Sequence, residues 1–200
     1  MKKIIFSFLV CLTITAQAQS YEQKQVDFNF GVGLGNTYLY SGNYFGPGFS
    51  YHSLPLINIS GEYGITDAIG IGGVLGFSTA TSTYSGSYFN GPNGYSYTDT
   101  YRWSFTIIGV RGAYHFAELI DNDKLDLYAG AMLGFNWSKA KYTSTDPYHP
   151  YAYNYKTSGI GLAYSVFAGC RYRFTDNLGV FGELGYGVSI LNIGLTYKRD

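Results

Sequence analysis

The stretch Ile160-Gly-Leu-Ala-Tyr-Ser-Val-Phe-Ala-Gly-Cys-Arg-Tyr-Arg-Phe174 decides how the chain is read. Ile160, Leu162, Tyr164, Val166, Ala168, Cys170, Tyr172 and Phe174 recur at period two, with Gly161, Ser165, Gly169, Arg171 and Arg173 between them. Successive side chains of an extended strand point to opposite faces. The stretch is therefore a strand with one apolar face and one face of small or polar residues.

Working outward, the same pattern repeats. Before it, Leu127, Ala129, Ala131, Leu133, Phe135 and Trp137 alternate with Tyr128, Gly130, Met132, Gly134 and Asn136. Earlier runs set Phe28, Phe30, Val32 and Leu34 against Asp27, Asn29 and glycines, then Ile57, Ile59 and Tyr63 against Asn58, Ser60 and Glu62. Ile69, Ile71, Leu75 and Phe77 then alternate with glycines and Ser78. After the central stretch, Val180, Leu184 and Tyr186 oppose Phe181 and Glu183, and Leu191, Ile193, Leu195 and Tyr197 oppose Asn192, Thr196 and Lys198. One run is irregular: Ile108, Val110 and Tyr114 oppose Arg111 and His115, but Trp103, Phe105 and Ile107 take the other phase. A β-bulge near Ile107–Ile108 would reconcile the two halves. The count is eight strands.

The chain start has a different character. Lys2 and Lys3 precede an apolar segment from Ile4 to Thr15, then Ala16-Gln17-Ala18. That is the layout of a cleaved secretory signal, so residues 1–18 are expected to be removed and 19–200 to form one barrel domain. Without Lys2 and Lys3, 11 basic residues face 13 acidic ones, a net charge of −2. This near-neutral balance, with no basic cluster along the sequence, argues against nucleic acid. No later segment is long and apolar enough for a transmembrane helix. Cys11 leaves with the signal and Cys170 remains alone, so no internal disulfide forms.

Charged residues make up 13% of the chain, about half the usual soluble value. Aromatics reach 19%, with 22 Tyr and 27 Gly. The polar faces lack the Lys and Glu of a solvated surface. Aromatics gather at strand ends: Tyr63, Tyr114, Phe116, Tyr172, Phe174 and Tyr197 at one, Tyr40, Phe77, Trp103, Trp137 and Tyr186 toward the other. Two such girdles are what membrane interfaces select. Connections alternate between short (64–68, 117–124, 175–177) and long (36–53, 79–100, 138–158), with a short final one at 187–190. Short periplasmic turns and long outer loops are the topology of an outer-membrane barrel with both termini in the periplasm. The expected fold is all-β, an antiparallel eight-stranded up-and-down transmembrane β-barrel.

The hairpin Tyr-Arg-Phe-Thr-Asp-Asn-Leu-Gly-Val from Tyr172 and the ending from Glu183 to Lys198 resemble the outer-membrane β-barrel family, in build similar to OmpA and OmpX barrels. The Gln17-Ala-Gln19 junction is similar to signal ends of Bacteroidetes proteins. The resemblance implies residence in the cell outer membrane and, as partners, outer-membrane lipid, lipopolysaccharide and the barrel-insertion machinery. Such chains usually end on an aromatic residue; here Lys198, Arg199 and Asp200 follow Tyr197.

Glu62, Arg111, Arg171, Arg173 and Glu183 fall on the inward faces in the lower half. Buried charges need partners, so they form a candidate lumen charge network. Arg171 and Glu183 flank one hairpin and are expected to meet, and Asp27 and Lys198 become neighbours when the ring closes. Two readings stay open, a structural plug and a narrow gated pore. The long connections mix Tyr, Ser, Gly and Asn, a composition that suits an extracellular ligand. An enzyme acting on lipid A is the alternative from another class, with His52-Ser53 and His149 on the outer side as candidates. No acidic partner is placed by a motif. Gly31-Val-Gly-Leu-Gly and Gly70-Ile-Gly-Gly precede no helix and are not phosphate loops. No His/Cys cluster has metal spacing. The expectation is a non-enzymatic barrel without cofactor or metal, its interior plugged, with a structural, adhesive or surface-binding role.

Overall fold

In this computed structural model the structure describes residues 21–35, 48–90, 93–116, 122–146 and 155–199. The expected signal at 1–18 lies outside them. Eight strands follow in order: β1 (Val26–Leu34), β2 (Phe49–Gly64), β3 (Ile69–Asn90), β4 (Asn93–His115), β5 (Leu125–Ser144), β6 (Tyr155–Arg173), β7 (Leu178–Tyr186) and β8 (Leu191–Arg199). Each pairs antiparallel with the next, and β1 pairs with β8, so the sheet closes on itself. Closure satisfies the ring's backbone hydrogen bonds internally, which a hydrocarbon surround demands.

The faces are those of a membrane barrel. Ile108, Leu133, Phe135 and Leu195 point outward and are between 56% and 60% exposed, while Asp27, Glu62, Asp126 and Arg171 point inward and are at most 2% exposed. In water this arrangement would expose apolar surface and bury charge. Against lipid the apolar surface is covered by hydrocarbon and the charges are kept out of it, and the short turns and described N-terminal residues mark the periplasmic end.

Two corrections concern where the pattern breaks. β4 pairs with β3 and β5 without a register shift at Ile107–Ile108. Ile107 instead continues the inward phase, 1% exposed, and packs with Leu56, Met132, Ala163 and Val188. Trp103 and Phe105 share the phase of Ile107 and lie on the inner face, with Arg102, Ser104 and Thr106 on the outer one, so Trp103 is not part of an outer girdle. The bulge is in β2, between Leu54 and Ile57, at Pro55. Proline has no N–H for the ladder and is tolerated at bulges.

The second correction is larger. Much of the three long connections is strand. β3 and β4 stay paired out to Asn90 and Asn93, and β5 and β6 out to Tyr142 and Tyr155. β1, β7 and β8 stop at Leu34, Tyr186 and Leu191. Strands β2 to β6 therefore rise beyond the ring as a five-stranded sheet, a crown on the outer side. Residues 36–47, 91–92 and 147–154 lie outside the described residues.

At the periplasmic end, two turns share one device. Thr66 Oγ1 accepts from the Ile69 N–H and Thr175 Oγ1 from the Leu178 N–H, each at 2.9 Å. The hydroxyl stands in for a backbone acceptor and holds the hairpin tight.

Candidate functional site

Inside the ring the lower lumen is a connected ionic network. Arg171 Nη1 donates to Asp27 on β1 and to Asp126 on β5, both at 2.9 Å. Arg173 Nη2 donates to Asp27 Oδ1 at 3.1 Å. Arg111 Nη2 donates to Glu183 Oε1 at 2.7 Å, where the Tyr128 hydroxyl joins it at 3.0 Å. The second oxygen of Glu183 accepts from Asn192 at 3.1 Å, and Asn192 in turn accepts from Asn58 at 2.9 Å. Glu62 lies 3.8 Å from Arg111 and 3.9 Å from Arg171, bridging the two groups.

His115 fits between them. Its Nδ1 faces Asp126 and its Nε2 faces Glu62, each at 2.9 Å. Carboxylates only accept, so both ring nitrogens must donate, which the imidazolium does. In that form one imidazolium and three guanidiniums match four carboxylates. Tyr21 stacks flat on the ring, with centroids 3.5 Å apart and planes 4° from parallel. Tyr21 is fully buried, and Gln25 donates to Asp27 at 2.6 Å, so the segment ahead of β1 corks the periplasmic mouth. Inward glycines make room: a Cβ on Gly169 would lie 2.8 Å from the Tyr128 ring and 2.9 Å from Glu183.

All five residues of the candidate network are therefore buried in the lower lumen and bonded. The pairing of Arg171 with Glu183 is not among the bonds. Glu183 stands opposite Gly169, two positions above Arg171, and is taken by Arg111. Arg171 instead takes Asp126, directly opposite it on β5, and reaches across the lumen to Asp27 on β1, a span that a small barrel leaves within an arginine's length. Asp27 does stand opposite Lys198 in the register. Asp126, His115, Tyr21 and Gln25 complete the network, and one more inward step back along β5 from Tyr128 reaches Asp126.

Above this tier the lumen is mainly apolar, with Asn58, Ser165, Ser189 and Asn192 among its lining. Leu56, Val74, Ile107, Met132, Phe167 and Val188 close around a void of about 50 Å³ that also touches Arg111 and Glu183. That is space for a few water molecules.

The inner face of the crown continues upward as aromatics. Tyr84, Tyr88, Tyr95 and Tyr97 cross the β3–β4 hairpin with ring centroids 5.9 to 6.0 Å apart. Tyr101 lies 4.5 Å from Tyr142 and 5.8 Å from Trp103. The Tyr88 hydroxyl donates to Asp146 at 2.9 Å and that of Tyr142 to Asp99 at 3.0 Å. Burial and then the Asp99 carboxylate raise the Tyr142 phenol above its ordinary pKa, so it stays a neutral donor. Gly86 admits this packing, since a Cβ there would lie 2.6 Å from the Tyr97 ring.

His52 and Ser53 are both exposed on β2. Neighbours in a strand point to opposite faces, so the two do not converge. His149 lies outside the described residues.

The sequence profile of the outer membrane protein beta-barrel domain family matches residues 6–198. No curated protein matches the chain. Among similar solved structures is the N-terminal β-barrel domain of Pseudomonas aeruginosa OprF, 12% identical over 88% of this chain and 98% of that one, TM-score 0.44. The attachment invasion locus protein Ail of Yersinia pestis, solved with the heparin analogue sucrose octasulfate, is 12% identical over 89% and 99%, TM-score 0.42. OprG of Pseudomonas aeruginosa is 11% identical over 90% and 97%, TM-score 0.43. With a closed eight-stranded ring, lipid-facing apolar residues and a family match across nearly its whole length, this chain belongs to the outer membrane protein beta-barrel domain family and resides in the outer membrane.

Proposed function

We propose that the protein is a non-enzymatic surface binder. Its ring is a sealed anchor, and the inner aromatic face of its crown takes an extracellular ligand. The observation that carries this reading is the contrast between a lumen filled by ion pairs and apolar side chains and a sheet that extends well past the ring. Glu62, Arg111, Arg171, Arg173 and Glu183 act as a structural plug, because each is bonded to a fixed partner. Tyrosines anchored through their hydroxyls offer rigid contact area at little entropic cost. Such faces suit flat, partly apolar ligands, among them the C–H faces of sugars and aromatic or proline-rich peptide segments.

The test is binding of arrayed glycans and peptides to the protein in nanodiscs, comparing wild type with the inner-face variants Tyr97→Ala and Tyr101→Ala. A ligand retained by wild type and lost by both variants supports the reading. Equal binding by all three, or discrete ion conductance by wild type in planar bilayers, overturns it.

A further inference from the structure

The outer face of the crown carries a second feature, independent of the aromatic one. Register places Arg102 of β4 directly opposite Lys141 of β5, and Lys141 directly opposite Lys156 of β6. The row continues through Thr81 of β3, which stands opposite Arg102, to His52 of β2. One same-face step nearer the membrane, Lys139 lies between Ser104 and Ser158. One step nearer still comes the row Thr106, Trp137, Ile160, where the apolar belt ends and Ile160 is 75% exposed. Lys139 folds back over the Trp137 ring, its Nζ 4.5 Å from the centroid. All four cations are exposed and point to the side that faces lipid lower in the wall.

Three properties make this row unlike a solvated surface. Like charges directly opposite across strands repel, and here two such pairs adjoin. None of the four cations forms an ion pair with a described residue. Within the described residues of strands β2 to β6 the carboxylates are elsewhere: Glu62, Asp99 and Asp126 take the inward phase, and Asp146, just past β5, is buried. The row's height is also fixed. Each same-face step is about 7 Å along the strand, or about 5 Å along the normal at the usual tilt, so the cations sit about 5–10 Å above the belt. That is the headgroup layer, within reach of long side chains. Neighbouring strands about 4.8 Å apart give the Arg102–Lys156 row a span of about 10 Å.

We propose that Arg102, Lys139, Lys141 and Lys156 form a binding site for the phosphate groups of a phosphorylated glycolipid in the outer leaflet. Guanidinium and ammonium groups are suited to phosphate oxygens, Arg102 as a fork and the lysines as point charges. The lipid's acyl chains lie along Trp137, Ile160 and Leu162 below. A soluble polyanion has no use for that apolar floor, which is why the lipid is the favoured occupant.

The test reconstitutes wild type, Arg102→Gln/Lys139→Gln/Lys141→Gln/Lys156→Gln, and a periplasmic-end control, Lys24→Gln/Lys124→Gln. The bilayers are zwitterionic, doped with bis-phosphorylated lipid A or its dephosphorylated form. Lipid retained after detergent extraction is counted by mass spectrometry, and folding is checked by heat-dependent gel mobility. Wild type and control are expected to retain the phosphorylated lipid, with retention falling at high salt. The quadruple variant is expected to lose it, on the order of fivefold in apparent affinity for each cation removed. Should it fail to fold, Lys141→Gln/Lys156→Gln gives the same readout at two sites. Equal retention of phosphorylated and dephosphorylated lipid, or by variant and wild type, overturns the proposal. So does equal thermal stabilisation by inorganic phosphate alone, which would mark a free-anion site. Binding of a sulfated polysaccharide without lipid-phosphate dependence overturns it too.

Discussion

Arg171 and Arg102 sit on the two sides of one wall and solve opposite problems. Arg171 is fully buried and reaches two carboxylates at 2.9 Å. Arg102 is exposed, faces a lysine across the ladder and forms no ion pair with a described residue. Inside a narrow lumen, the protein must supply every counter-charge, because a lone buried ion is costly. On the outer face, it leaves the counter-charge to its surroundings. The same residue type is thus structural on one side of the sheet and a receptor for ions on the other, and the pleat alone decides which.

The sharpest way to break this contrast is to remove the inner cation. Arg171→Met leaves Asp27 and Asp126 short of a partner and is expected to cost about 3–5 kcal/mol in denaturant unfolding from bilayers. A loss under 1 kcal/mol would mean that water reaches the lumen. A double-mutant cycle sharpens it further: Arg111 and Glu183 should couple strongly, and Arg171 with Glu183 much less. Next in size is an outward cation at the wrong depth. Leu133→Arg should cost about 2–4 kcal/mol in the same assay, and an unchanged midpoint would refute the facing of β5. A smaller effect is expected in the apolar tier, where Ile107→Val should cost about 0.5–1.5 kcal/mol if the side chain is packed as described. Smallest is Arg102→Gln, expected within about 0.5 kcal/mol in zwitterionic detergent. A larger loss there would show that the outer row has a protein partner after all.

How far these sites were legible depended on whether the two faces of a strand differ. In β5 and β6 one face is apolar and the other small or polar, so period two exposed both the ring and the inward position of Arg171. In β4 the apolar face changes sides: Trp103, Phe105 and Ile107 point inward above, opposite Arg102, Ser104 and Thr106, while Ile108 and Val110 point outward below, so the alternation alone carries no sign of which face is inner. In the crown both faces meet water, so Ser, Thr, Tyr and Gly fill them alike and the strands read as loops. The cation row was invisible for a related reason: Arg102, Lys141 and Lys156 are far apart in sequence and become a row only through register. Partner choice in the lumen was half hidden: Asp126 stands directly opposite Arg171, but the bonds of Arg171 to Asp27 and of Arg111 to Glu183 cross the ring, where hairpin adjacency gives no guide.

The bonds of Asp27 also have a consequence for the order in which the barrel is assembled. Its described cationic partners, Arg171 and Arg173, come from β6, 144 and 146 residues further along the chain. Until β6 is in place and β8 has sealed against β1, the first strand presents an unneutralised carboxylate to an unfinished cylinder. Contacts of such long sequence separation form late, since the loop between them must close first. Closure of the ring and neutralisation of its interior are therefore one event, and a partly inserted chain has little to hold it short of completion.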